Sequence, residues 1–147
     1  MKVTISKTYK FEYAHRIYNQ KQTKDNPETR CRNIHGHSGV VKVFISSEKL
    51  DDCGMIIDFT NLKPIKNYID SFDHSLIISS DDKEMMKVPS VMSTCKFSVL
   101  PGNVTSETIA LHMFGQILYI LQSINNELIL ERLEFSETND NVVIIER

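Results

Sequence analysis

The chain reads as an α+β protein, a four-stranded antiparallel sheet with two helices packed on one face. Three observations predict this. Apolar residues alternate over residues 3–17 and again from His35 to Ile45, two later segments carry apolar residues at helical spacing, and the end has the pattern of a β-hairpin. The order is strand, strand, helix, helix, strand, strand.

In the first strand Val3, Ile5, Tyr9, Phe11, Tyr13, His15 and Ile17 share one face, opposite Thr4, Ser6, Thr8, Lys10, Glu12 and Arg16. Residues 18–31 are polar, contain Asn26 and Pro27, and read as a loop. In the second strand His35, His37, Val41, Val43 and Ile45 extend a buried face. Gly54 with Asp51 and Asp52 marks a turn. The first helix is placed from Thr60 or Asn61, which keeps Pro64 within or just past the first turn, where backbone N–H groups have no intrahelical partner. Leu62, Ile65, Ile69 and Phe72 form its apolar stripe. Residues 79–103 read as a loop excursion with a short strand at Lys96–Leu100. Thr105, Ser106 and Glu107 open the second helix with a hydroxyl N-cap and an acid in the first turn. Its stripe of Ile109, Met113, Ile117, Ile120, Leu121 and Ile124, widened by Phe114 and Leu118, suggests burial against the sheet and against a second surface such as another subunit. The hairpin comprises Leu128–Thr138 and Val142–Ile145, with Ile129, Glu131, Leu133, Phe135 and Glu137 expected on one face.

The bulk properties bound the function. The 147 residues fit one domain (1–147), and the composition, 41% hydrophobic and 24% charged with 5 Gly and 4 Pro, is that of a globular protein. A formal net charge of −2 gives no support for nucleic-acid binding, and no apolar run is long enough to cross a bilayer. Residues 1–20 lack the continuous apolar region of a signal peptide, so the expected compartment is the cytoplasm. Three cysteines favour free thiols. An anionic substrate would need a local basic cluster, for which Arg16, Arg30 and Arg32 are the candidates.

Chemistry concentrates between Cys31 and His37. Side chains two apart on a strand point the same way about 6.6 Å apart, close enough for His35 and His37 to converge on one metal ion, and Gly36 between them leaves room. His15 falls on the buried face of the neighbouring strand, where its imidazole needs either a backbone hydrogen bond or a metal. His15, His35 and His37 would give a neutral three-nitrogen set of the kind catalytic zinc uses. Cys31, flanked by Arg30 and Arg32 and near such a dication, would be favoured as thiolate. Asp73 and His74 resemble half of a proton relay, provided a turn lets adjacent residues meet. Glu137 ends an otherwise apolar row, where a carboxylate is costly without partners and is a candidate for ligand recognition. His112 has no evident partner and reads as structural or exposed.

These residues resemble the 6-pyruvoyltetrahydropterin and 6-carboxytetrahydropterin synthase family. The matching motifs are Phe11–His15, Cys31 with His35 and His37, Gly54–Phe59 with Leu62 and Lys63, Phe72–His74, Thr105–Glu107 and Ser136–Thr138. The resemblance implies the tunnelling fold and a Zn2+ held by His15, His35 and His37. It also implies Cys31 as general base, completed by Asp73 and His74, and a pterin ring anchored by Glu137. Thr105, Ser106 and Glu107 would complete the pocket from a neighbouring subunit, within a homo-oligomer of two stacked trimers. The implied substrate is the small molecule 7,8-dihydroneopterin triphosphate. The carboxy branch releases acetaldehyde and triphosphate on the way to queuosine, whereas the pyruvoyl branch eliminates triphosphate only. The three residues between Cys31 and His35 and the Gly54–Phe59 segment resemble the carboxy branch, while the residues after Glu137 resemble the animal enzymes. A family variant has glutamate in place of the cysteine, and Cys31 argues against it. Two departures stand out: Val104 replaces the usual proline, and 79–101 is longer than in compact bacterial members. The competing readings are a non-catalytic pterin- or purine-binding ring protein, set against by Cys31 and Asp73–His74, and a zinc hydrolase, which leaves Glu137 without a purpose.

Overall fold

The computed structural model describes residues 2–147. One mixed sheet runs in the order β4-β3-β1-β2-β5-β6, with β1 at Val3–His15, β2 at His35–Ser47, β3 at Ser75–Ser79, β4 at Lys96–Leu100, β5 at Ile129–Ser136 and β6 at Val142–Glu146. The helices are α1 (Lys63–Asp70), the single turn α2 (Val88–Val91) and α3 (Ser106–Ile124).

The long pair β1–β2 follows from alternation. Tyr9, Phe11, Tyr13 and His15 on β1 and Val41, Val43 and Ile45 on β2 are buried, and the two strands are antiparallel in continuous register from Val3↔Ser47 to His15↔His35. α1 begins after a 3₁₀ turn at Phe59–Leu62 whose entry is capped by Asp58, and Pro64 lies in its first turn, as expected. Leu62, Ile65, Ile69 and Phe72 are buried. Thr105 caps α3, whose Ile109, Ala110, Met113, Ile117 and Leu121 are buried while Phe114, Leu118, Ile120 and Ile124 pack at the margin. Each side chain of this size that is fully buried contributes about 1.5–3 kcal/mol relative to exposure. His112 packs edge-on against Phe72, a structural position.

The sheet departs from the expected four antiparallel strands. β3 runs parallel to β1, and β4 runs parallel to β3. Both have five residues, and β3 carries the unbroken run Leu76, Ile77 and Ile78, so period-2 alternation could not reveal it. The strand expected at Lys96–Leu100 is present. Between these strands residues 80–95 form the expected excursion, with a 3₁₀ turn at Met85–Lys87 and the single turn α2, before the chain returns as the edge strand β4.

β5 departs in register. Phe44 faces Arg132 and Ile45 faces Leu130, which leaves Glu131 unopposed in a β-bulge. The extra residue flips the side-chain parity. Leu128 and Leu130 point inward before the bulge and Leu133 and Phe135 after it, so Ile129 and Glu131 do not belong to the row that runs on to Glu137.

Gly39 is required by a close approach on β2. A Cβ there would lie 2.9 Å from the Phe11 ring and 3.1 Å from the Tyr13 ring. The space above the strand is therefore used at Gly39; at Gly36 a Cβ would meet only the Tyr13 carbonyl oxygen, at 3.3 Å. Gly39→Ala is expected to lower stability by about 1–3 kcal/mol through overpacking, read as a lower urea midpoint with an unchanged slope.

Candidate metal centre and adjoining cavity

The β1–β2 register sets His15 opposite His35 and Tyr13 opposite His37, and inward alternation brings the three imidazoles together. Their ring centroids are 4.7, 5.2 and 4.9 Å apart, and one nitrogen from each lies within 4.8 Å of the others. His15 is buried and donates Nδ1–H to the carbonyl of Val104 at 2.7 Å; His35 Nδ1 does the same to Asn33 at 2.8 Å. These bonds assign the lone pair to Nε2 in both rings. Nε2 of His15 and Nε2 of His37 are buried without a hydrogen-bond partner. Burial pushes the His15 pKa down to about 4, opposed in part by the Val104 hydrogen bond, and burial also lowers that of His37. Converging imidazole nitrogens, two of them buried without a partner, are what a divalent metal requires, so the three residues fit the ion that the family resemblance implies.

Glu137 joins this cluster from the end of β5. Its Oε1 lies 3.5 Å from His15 Nε2 and 3.4 Å from His37 Nε2. Glu137 also lines a cavity of about 410 Å³ with Ser106, Glu107, Asp140, Asn141, Val142 and Val143. The start of α3 and Glu137 of one chain border this cavity. Thr105 is engaged as the α3 cap, accepting from Thr108 N–H.

Asp73 and His74 meet through a turn. His74 adopts φ +56°, in the left-handed region, and its Nδ1 lies 2.8 Å from Asp73 Oδ2. The turn is fastened to β1 at two points: Glu12 N–H donates to Asp73 Oδ1, and His74 N–H donates to the Glu12 carbonyl, both at 2.7 Å. Lys96 of β4 adds two more, its Nζ donating to the carbonyls of Asp70 and Asp73 at 2.9 and 2.8 Å. The Glu12 N–H and then His74 hold the Asp73 carboxyl below its ordinary range. Cys31 is half-buried in a 3₁₀ turn, Arg30–Arg32, and its carbonyl accepts from Ile17 N–H at 2.7 Å, which ties it to the chain two residues past His15.

The arginines depart from the expected basic cluster. Arg16 forms a two-pronged pair with buried Asp82 at 2.7 and 2.8 Å and also reaches Glu84, and Arg30 pairs with Glu28. Of the three candidates Arg32 alone has no ion pair among the described residues. The residues that sequence reasoning missed are the carbonyls of Val104 and Asn33, Lys96, and Tyr13, whose ring stands 5.3 Å from His15 and 5.6 Å from His37. Backbone carbonyls leave no side-chain signal. Tyr13 was visible only as one more apolar position.

The fold and site define a curled-sheet α+β protein with a three-imidazole candidate metal centre beside an acid-lined cavity. The chain belongs to the family described as 6-pyruvoyl tetrahydropterin synthase, whose model matches residues 4–147. It is 34% identical over 117 residues to the 6-carboxy-5,6,7,8-tetrahydropterin synthase of Rickettsia felis, covering 78% of this chain and 80% of that protein. Among solved structures it is similar to an uncharacterized protein from Wolinella succinogenes, with TM-score 0.80, 26% identity and coverage of 99% of this chain and 98% of the other. It is also similar to the 6-pyruvoyl tetrahydropterin synthase of Caenorhabditis elegans, with TM-score 0.70, 25% identity and coverage of 100% and 96%. No helix among the described residues is long and apolar enough to cross a membrane.

The Arg16–Asp82 pair ties the 79–101 stretch to the residue after His15. Arg16 holds the Asp82 carboxyl below its ordinary range, so the pair stabilises the fold above the unfolded carboxyl value near 3.9 and that contribution is lost as pH falls below it. Asp82→Asn is expected to cost about 1–3 kcal/mol at pH 7. In urea unfolding followed as a function of pH, the gap to wild type should shrink below about pH 4.

Proposed function

We propose that this chain is a zinc-dependent 6-carboxy-5,6,7,8-tetrahydropterin synthase. It would convert 7,8-dihydroneopterin triphosphate and water to 6-carboxytetrahydropterin, acetaldehyde and triphosphate, in the queuosine pathway. The observation that carries the reading is the convergence of three imidazoles, two with orphaned buried Nε2 atoms, next to a carboxylate at a cavity. The name of the Rickettsia felis relative supports the carboxy branch.

His15, His35 and His37 would hold the zinc. When bound, it supplies Lewis acidity that lowers the pKa of oxygens beside it. Glu137 accepts from the ring N–H and exocyclic amino group, a bidentate match for a carboxylate. Ser106 and Glu107 border the same cavity and orient the ring, with Thr105 holding the helix start that presents them. Cys31 takes a proton from the side-chain carbon, and His74, oriented by Asp73, moves a proton on or off the product side. The homo-oligomer belongs to the same reading. The outer edges of β4 and β6 are unpaired among the described residues, and Val142 and Ile144 of β6 are exposed, which a second copy would cover. So does a cytoplasmic location.

The pyruvoyl branch is the second reading, favoured by the full-length likeness to the Caenorhabditis elegans enzyme. One assay separates the two: zinc-loaded protein with 7,8-dihydroneopterin triphosphate, following acetaldehyde, triphosphate and pterin product. Acetaldehyde with triphosphate is the expected result. Triphosphate with a diketone product selects the pyruvoyl branch, and absence of turnover with full zinc content sinks both. Cys31→Ala is expected to reduce turnover by about 100-fold or more while leaving zinc content intact. His35→Ala should instead lower the zinc bound per chain, measured by elemental analysis after dialysis.

A further inference from the structure

Glu137 is placed oddly for a residue that only recognises a ring. Its Oε1 stands 3.5 Å from His15 Nε2 and 3.4 Å from His37 Nε2, and neither nitrogen has a hydrogen-bond partner. His15 gives its one N–H to Val104 from Nδ1, so its Nε2 presents a lone pair to the carboxylate oxygen. A carboxylate oxygen held against the His15 lone pair is unfavourable unless a cation lies between them. The spacing is that of neighbouring ligands on one ion. Bonds of about 2.0–2.1 Å in tetrahedral arrangement separate adjacent ligand atoms by about 3.3–3.4 Å.

We infer that Glu137 is the fourth ligand of the three-histidine metal centre and closes its coordination shell in the absence of substrate. The inference rests on the histidine site and not on the assignment of a pterin substrate. It gives Glu137 two competing partners, the ion when the cavity is empty and an N–H donor of the incoming ligand when it is filled. A ligand that draws the carboxylate away frees a position on the metal. A heterocycle with adjacent N–H donors beside an oxygen-bearing side chain has the chemistry to use both.

The test needs no turnover. Wild type, Glu137→Gln and Glu137→Ala are loaded with Co2+, and their visible absorption and metal affinity, by competition with a chromophoric chelator, are compared. Both variants are expected to bind at least about tenfold more weakly, with Glu137→Ala the weaker, and to change the cobalt bands. The melting temperature of the metal-free variants should equal or exceed wild type, because the carboxylate facing the lone pairs is gone, while that of the metal-loaded variants should fall. Unchanged affinity and spectrum in both variants overturn the inference, as does failure of wild type to bind cobalt or zinc. Equal loss of stability with and without metal assigns Glu137 a structural role and overturns it too. Glu137-dependent metal binding without pterin turnover leaves the inference standing and removes the proposed function.

Discussion

The antiparallel register of β1 on β2 is the constraint on which the site depends. It sets His15 against His35 and Tyr13 against His37, and a slip of one residue would turn every one of these side chains to the other face. Thirteen residues on each strand fix that register, because the buried row of Tyr9, Phe11, Val41, Val43 and Ile45 can enter the core in one alignment only. Gly39 belongs to the same constraint: its missing side chain admits the Phe11 and Tyr13 rings that wall the histidine end of the core.

Around that pair, distant segments contribute mainly through backbone. The turn before α3 offers the Val104 carbonyl to His15, and since position 104 acts through its oxygen, valine in place of proline leaves this contact intact. The turn before β3 is stitched to Glu12 and clamped by Lys96, which allows His74 to hold a left-handed conformation and meet the side chain of its own neighbour. The 79–101 stretch thereby acquires a physical role. It adds β4, delivers Lys96, and carries the buried Asp82 that holds Arg16 beside His15.

Much of the site was legible in the chain. The spacing of His35 and His37, the parity of His15 on an alternating strand and the interruption of an apolar row by Glu137 all survive in the structure, because local periodicity dictates which face a side chain takes. The β-bulge at Glu131 shows where such parity fails: a single unpaired residue inverts the rows before it, and nothing in the residue types announces it. The strand β3 escaped for a related reason, since its short run Leu76, Ile77 and Ile78 has no alternation to read, and β4, legible as a strand, gave no sign that it pairs parallel to β3.

By itself, then, the sequence determined the two long strands, both major helices, the terminal hairpin and the three histidines as one inward-facing set, all consequences of hydrophobic period. What only the tertiary structure decided is who meets whom across long separations. Glu137 lies against the imidazoles as well as the cavity, the α3 start and Glu137 of one chain share that cavity, and two of the three candidate arginines are already neutralised by carboxylates. Those outcomes rest on packing and register between elements far apart in the chain, as His15 and Glu137 are, for which residue periodicity carries no information.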